Sequence, residues 1–441
     1  MRQERSAMRL RIEIVVIAVP LILAGCATHP MMPTPALYSG AQAKPLFAVA
    51  PGRSESPTLD VLFVTDRAPA KAADEDSPYT ADRSRSMAWG SAMVQFGDNV
   101  GWDELVKEST TADRAVPLSL SLGPTKELGR FPPIPYELAV GPAGISRLPA
   151  VVAAHEKTKA ELQAEIVRRL DAAPRKEVVL YVHGYNNSFE DAAITMGELC
   201  HFLGREFVCA IFSWPAGGRR GLAFGYNVDR ESSEYAVEDL LKTIRIIAET
   251  PGVQRIHVLG HSRGTDVVAT ALAELSVEAY AVGNTLARQY RVGNVILMAP
   301  DIDADVALAK ILKIFSDPDL PFNGKANPGI SLEPSPQFKI TIYASPDDKA
   351  LETSGWLFGS IARLGRIDAA MFTPHQIDEF RTFGEVDVIQ VRGSTDPFGH
   401  SYFVSNPEVS SDIVAMVRYG LKPNEPGRPL TEVVRPFWRV Q

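Results

Sequence analysis

The sequence predicts an α/β fold built on a mostly parallel sheet with helices on both faces. Three observations carry that prediction. Short, almost wholly apolar runs recur from Val178 onward, and helical segments fill most of the gaps between them. A Gly-x-Ser-x-Gly pentapeptide, Gly260-His261-Ser262-Arg263-Gly264, stands where one such run passes into a helix. Strands that are apolar along their whole length are buried on both faces, and burial on both faces requires covering helices.

Taken in order, the amino terminus reads as a targeting segment over residues 1–26. Arg2, Arg5, Arg9 and Arg11 precede the apolar run Ile14 to Leu23, too short for a comfortable membrane span. The run closes on Leu23-Ala24-Gly25-Cys26, which resembles the bacterial lipobox; that resemblance implies lipidation of Cys26 as the first mature residue. Ala27 after the cysteine resembles lipoproteins sent to the outer membrane, so the expected location is the cell envelope, lipid-anchored and facing the periplasm. An ordinary cleaved signal or an uncleaved anchor is the alternative. Residues 27–57, rich in Pro, Ala, Gly and Ser without apolar periodicity, are expected to form a flexible tether. One domain is expected over 58–441.

That domain begins with strand signals at Leu59 to Thr65 and Ser91 to Phe96, separated by a charged loop around Asp74 to Ser86. A long helix is expected over 152–171, ending near Pro174. The runs Val178 to Val182, Phe207 to Phe212, Ile256 to Leu259, Val292 to Met298, Lys339 to Tyr343 and Val386 to Val391 read as the strands of the parallel sheet. Residues 317–337, rich in Pro, Asn and Gly, fall between two successive strands and are expected to act as a lid. In the Pro-rich tail, Phe437 and Trp438 are candidates to dock back on the core.

Composition narrows the function. With 45% apolar residues, a formal net charge of -8 and no Lys/Arg-rich run after the amino-terminal segment, the chain lacks the electrostatic footprint of a nucleic-acid binder. Besides Cys26 there are only Cys200 and Cys209. An export route permits a disulfide between them, but two buried free thiols are the favoured reading. Neither has a His or Cys partner at zinc-ligand spacing. No cofactor is expected.

The chemistry is read from the pentapeptide outward. A serine on a sharp strand-to-helix turn projects its hydroxyl above the sheet, and flanking glycines let the turn close. Such a hydroxyl needs a base, oriented by a carboxylate. His400, in Gly399-His400-Ser401-Tyr402 shortly after the last strong strand, is the best-placed base. For the acid, Asp347 and Asp348 follow the Lys339 to Tyr343 strand, and Asp301, Asp303 and Asp305 follow the preceding one. The order of the elements favours Asp348, with Asp303 as the alternative and Asp347 as a helix cap. The Asp301 to Asp305 run lacks the glycine and closing glutamate of a calcium loop. Oxyanion donors are expected from the backbone N–H of Arg263 and, in His183-Gly184-Tyr185-Asn186-Asn187, from that of Tyr185. His183, His257 and His261 read as packing or hydrogen-bonding residues, and Trp214 either walls a pocket or packs in the core.

Seven segments, taken together, resemble a bacterial α/β-hydrolase family of unknown function, described as esterase/lipase-like. They are Val64-Thr-Asp-Arg67, His183-Gly-Tyr-Asn-Asn187, Phe212-Ser-Trp-Pro215, the Ser262 pentapeptide, Ala299-Pro-Asp-Ile-Asp303, Ser345-Pro-Asp-Asp-Lys-Ala-Leu351 and Gly399-His-Ser-Tyr-Phe403. The resemblance spans most of 58–419 and implies an α/β-hydrolase fold with a triad of Ser262, Asp348 and His400. It departs after Pro215, where Ala216-Gly-Gly-Arg-Arg220 replaces the more usual serine-containing turn. The expected activity is serine hydrolysis of a small-molecule or lipid carboxylic ester through an acyl-enzyme. Thioesterase or amidase chemistry on the same triad, and a non-catalytic envelope module using the fold for binding, are the alternatives.

Overall fold

A computed structural model describes residues 29–40, 43–47, 55–71, 77–114, 118–218, 222–317, 319–320, 338–358, 362–384 and 386–441. The expected signal with Cys26, and almost all of the 317–337 loop, lie outside the described residues. The strands are β1 (His29–Pro30), β2 (Thr58–Pro69), β3 (Tyr79–Phe96), β4 (Ser119–Arg130), β5 (Leu138–Gly141), β6 (Gly144–Arg147) and β7 (Glu177–Val182). They continue with β8 (Val208–Ser213), β9 (Arg255–His261), β10 (Val292–Met298), β11 (Lys339–Ala344), β12 (Val386–Gln390), β13 (Leu430–Val434) and β14 (Phe437–Val440). Among the described residues, all but the β5–β6 hairpin join one sheet in the order β1-β4-β3-β2-β8-β7-β9-β10-β11-β12-β14-β13. Pairing is parallel from β2 across to β14 and antiparallel at both margins.

The two-residue period of a strand sorts its side chains into two cores. On β7, Val178, Leu180 and Val182 join the cluster beneath the helices Pro149–Ala172, Leu222–Glu249 and Gly264–Ala281. Val179 and Tyr181 join the opposite cluster beneath Phe189–Phe202 and Pro407–Val417. The predicted parallel strands and the 152–171 helix are therefore present, the helix as Pro149–Ala172. Winding reverses at β7, because β8 lies on one side of it and β9 on the other. At such a reversal, beyond the carboxyl ends of the strands and here those of β7 and β9, open α/β sheets bind ligands.

Four expectations are corrected. The charged stretch around Asp74 to Ser86 is a loop only in part, since β3 starts at Tyr79 and pairs with β2 from Thr58↔Gln95 to Pro69↔Tyr79. Its polar residues lie on a partly solvated antiparallel extension, where alternation is weak. Within 27–57, residues 29–38 are no tether. Met31, Met32 and Tyr38 are buried, β1 pairs with β4, and Arg114 donates to the carbonyls of Met31 (3.0 Å) and Met32 (2.8 Å). Met31, Met32 and Tyr38 make no periodic pattern, yet all three join the core cluster that holds the buried face of Phe189–Phe202. Third, Cys200 and Cys209 form a disulfide rather than two free thiols. The last turn of the helix Phe189–Phe202 brings its Cα to 6.1 Å from that of Cys209 on β8, within disulfide reach. The fourth correction concerns Asp347 and is taken up with the site. In the tail, Phe437 and Trp438 do dock back, on a strand added parallel to β12. Among the described residues no helix is long and apolar enough to cross a membrane.

Candidate active site

Ser262 follows β9 at φ +50°, in the left-handed region that a non-glycine residue occupies only when the surroundings impose it. The imposition is visible. Ser262 N–H donates to the Met298 carbonyl (3.0 Å), and its own carbonyl accepts from Thr265 N (3.1 Å), Thr265 Oγ1 (2.6 Å) and Asp301 N (3.2 Å). A side chain on Gly264 would place its Cβ 2.2 Å from the His183 carbonyl oxygen, so only glycine lets the elbow close against β7. Gly184 faces the same limit from the other side, its Cβ position being 2.7 Å from Ser262 Cβ.

Asp348 and His400 come together as the order of the elements predicts. His400 Nδ1–H donates to Asp348 Oδ2 at 2.7 Å, and the carboxylate is wholly buried. This fixes the imidazole tautomer, leaving Nε2 as the acceptor. His400 is seated beside the elbow, its ring centroid 5.0 Å from that of His261, whose Nε2 lies 3.4 Å from the His400 carbonyl oxygen. No hydrogen bond joins Ser262 Oγ to His400 in this structure. The other carboxylates have different work. Asp303 caps the helix Ala304–Ile311 through Asp305 N and Val306 N. Asp301 accepts from Tyr226 Oη and Ser354 Oγ, both at 2.8 Å. Asp348 itself, through Oδ1 and Leu351 N (2.9 Å), caps the helix Lys349–Phe358, whereas Asp347 accepts from Gly393 N (3.0 Å). The expectation that Asp347 is the cap is thus wrong, because the buried residue one step on reaches both the helix and the imidazole.

The two oxyanion candidates lie on either side of the reversal. Arg263 begins the helix Gly264–Ala281, and its guanidinium is held away from the site by Asp266 (2.9 Å) and Ser233 Oγ (3.2 Å). The turn carrying Tyr185 is braced from below: Gly184 N donates to Asn187 Oδ1 (3.1 Å) and Asn186 N to Asp229 Oδ2 (3.1 Å). His183 is architectural. Its Nε2 accepts from Trp214 N (3.1 Å), and its ring stacks on Trp214 at 5.2 Å. Burial and the Arg67 charge hold this imidazole well below its ordinary value, hence neutral. Trp214 is fully buried and packs in the core rather than walling a pocket. His257 pairs with Glu177 (2.7 Å), and His261 is kept neutral by burial and by His400.

Arg67 was missed as a site residue. Fully buried, it donates to the carbonyls of Asn187 (2.7 Å) and Ala216 (2.9 Å) and to Ser213 Oγ (2.9 Å), so one guanidinium ties the Tyr185 turn to the turn after β8. Burial lowers it to about 10, still charged at neutral pH. Asp66-Arg67 at the end of an apolar strand was the available signal. A buried charge is costly unless it organises several acceptors.

The reversed parallel sheet with a strained serine at the reversal defines an α/β hydrolase. The chain belongs to the family described as alpha/beta hydrolase of unknown function (DUF900), whose model matches residues 158–418, more than half of the sequence. No curated protein matches it. Among solved structures it is similar to a predicted CIB-like hydrolase from Thermoplasma acidophilum (16% identity, 55% of this chain and 86% of that one, TM-score 0.30). It is also similar to an esterase from Pyrobaculum calidifontis (13%, 60% and 92%, 0.30) and to Est1E from Butyrivibrio proteoclasticus (13%, 55% and 87%, 0.27).

Proposed function

We propose that the protein is a serine hydrolase of carboxylic esters. Ser262 Oγ attacks the ester carbonyl while His400 Nε2 takes its proton, and Asp348 steadies the resulting imidazolium. The N–H groups of Arg263 and Tyr185 receive the tetrahedral oxyanion, each such donor stabilising the transition state by roughly 2.7–4 kcal/mol. Collapse returns the proton to the leaving alcohol and leaves the acyl group on Ser262. Water, deprotonated by His400, then attacks the acyl carbon and regenerates the serine. The observation that carries this reading is the 2.7 Å Asp348–His400 pair set beside a serine at φ +50°. The lipobox-like Leu23-Ala24-Gly25-Cys26 supports a lipid anchor in the cell envelope.

A second reading, a non-catalytic envelope module, is favoured by the missing Ser262–His400 hydrogen bond. Exposure of the soluble chain 27–441 to a serine-reactive fluorophosphonate, read by intact mass, separates the two. One adduct, lost in Ser262→Ala and in His400→Ala, is expected. A folded protein that takes no adduct sinks the hydrolase reading. Thioesterase and amidase chemistry are then compared with ester hydrolysis on matched acyl donors.

A further inference from the structure

Asp301 follows β10 by three residues and is 3% exposed, yet its contacts run to each part of the candidate site. Its N–H donates to the Ser262 carbonyl (3.2 Å), so the exit of β10 helps hold the elbow. Its own carbonyl accepts from Arg263 Nη1 (3.5 Å), the side chain of one oxyanion candidate. Its Oδ2 accepts from Tyr226 Oη (2.8 Å), and the Tyr226 ring lies 5.3 Å from that of Tyr185, the other candidate. Burial and the Asp301 charge push Tyr226 up to about 12, so its hydroxyl stays a donor at neutral pH. Asp301 Oδ1 accepts from Ser354 Oγ (2.8 Å) on the helix Lys349–Phe358, the helix that Asp348 caps while it holds His400. Arg363 Nε stands 3.5 Å from the same oxygen, with both side chains buried. A buried ion pair is a weak source of stability, because desolvation offsets most of the attraction. What this one supplies is geometry.

We propose that Asp301 is a positioning residue, which sets Ser262 and the two candidate oxyanion turns against the Asp348–His400 pair. The inference rests on the serine-hydrolase reading above. Sheet order explains why such a residue is needed. The elbow and the Tyr185 turn leave β9 and β7, whereas Asp348 and His400 come after β11 and β12, and β10 lies between the two sets. Asp301, at the exit of β10, touches both: the elbow through its backbone and the Asp348 helix through its side chain. Proton transfer from Ser262 to His400 crosses this junction, and its rate depends on the separation held there.

The test is steady-state hydrolysis of p-nitrophenyl acetate by the full chain and by its Asp301→Asn, Tyr226→Phe and Ser354→Ala variants. Fluorophosphonate labelling and Tm are read on each. In Asp301→Asn an amide N–H2 meets a donor in place of an acceptor, and kcat is expected to fall by about 10²-fold with KM changed less than about twofold. Tyr226→Phe and Ser354→Ala each remove one contact and leave the other, so each lowers kcat by a smaller factor. Combined with Asp301→Asn, neither adds a full further loss, because its partner is already altered. Labelling slows in the same order yet still reaches a single adduct. A merely structural role lowers Tm and leaves kcat and KM of the folded fraction in place; that result overturns the proposal, as does a rise in KM with kcat unchanged. Should Asp301→Asn fail to fold, Tyr226→Phe and Ser354→Ala decide by the same criterion. If the unaltered protein takes no adduct, the hydrolase reading fails first and this inference with it.

Discussion

Asp348 uses both carboxylate oxygens, one on the His400 imidazole and one on the first turn of a helix, and the two roles separate by substitution. In Asp348→Asn the amide oxygen retains the cap, but the amide N–H2 turned to His400 forces the wrong tautomer. We expect kcat on an ester to fall by about 10⁴-fold with little change in Tm. In Asp348→Ala the activity falls as far and the lost cap costs about 1 kcal/mol more, read as a lower urea midpoint. Equal stability in the two variants would remove the capping role. Ser262, Asp348 and His400 were legible as candidates because each follows a strand signal in chain order, His400 after a loop. Arg67 was not, since its contacts join the end of β2 to two turns that are distant in sequence.

At the scale of elements, the helix Phe189–Phe202 gathers what the sequence hid. It shares a core cluster with Met31, Met32 and Tyr38, and its last turn meets β8 through the Cys200–Cys209 disulfide. Neither contact has a local signal, because each depends on where the helix is laid over the sheet. Glu198 lies beneath this strap, and burial lifts its carboxyl from 4.5 to about 8. The folded protein therefore keeps a proton that the unfolded chain loses above its ordinary value. Stability from this group is fully present below that value and is lost as pH rises toward the folded one. Glu198→Gln abolishes the dependence, so between about pH 5 and about pH 8 its Tm should fall less than that of the unaltered protein. Parallel melting curves would show that Glu198 titrates normally.

Across the whole molecule, the parallel sheet was readable because strands buried on both faces are apolar throughout, while its antiparallel margins, half-solvated, were read short or missed. The far margin closes late: β14 pairs with β12 and buries Phe437 and Trp438. Removing residues 430–441 is expected to lower unfolding free energy in urea by roughly 4–6 kcal/mol through those two side chains. An unchanged midpoint would make the tail dispensable. The reversal at β7 also divides the site along the chain. The Ser262 elbow and both candidate oxyanion turns belong to residues 183–264, whereas the candidate acid and base arrive only at Asp348 and His400. A chain synthesised from its amino end thus completes the Ser262 turn well before Asp348 and His400 exist to flank it. Under the proposed mechanism, hydrolysis then waits until β11, β12 and the segments that follow them have folded into place.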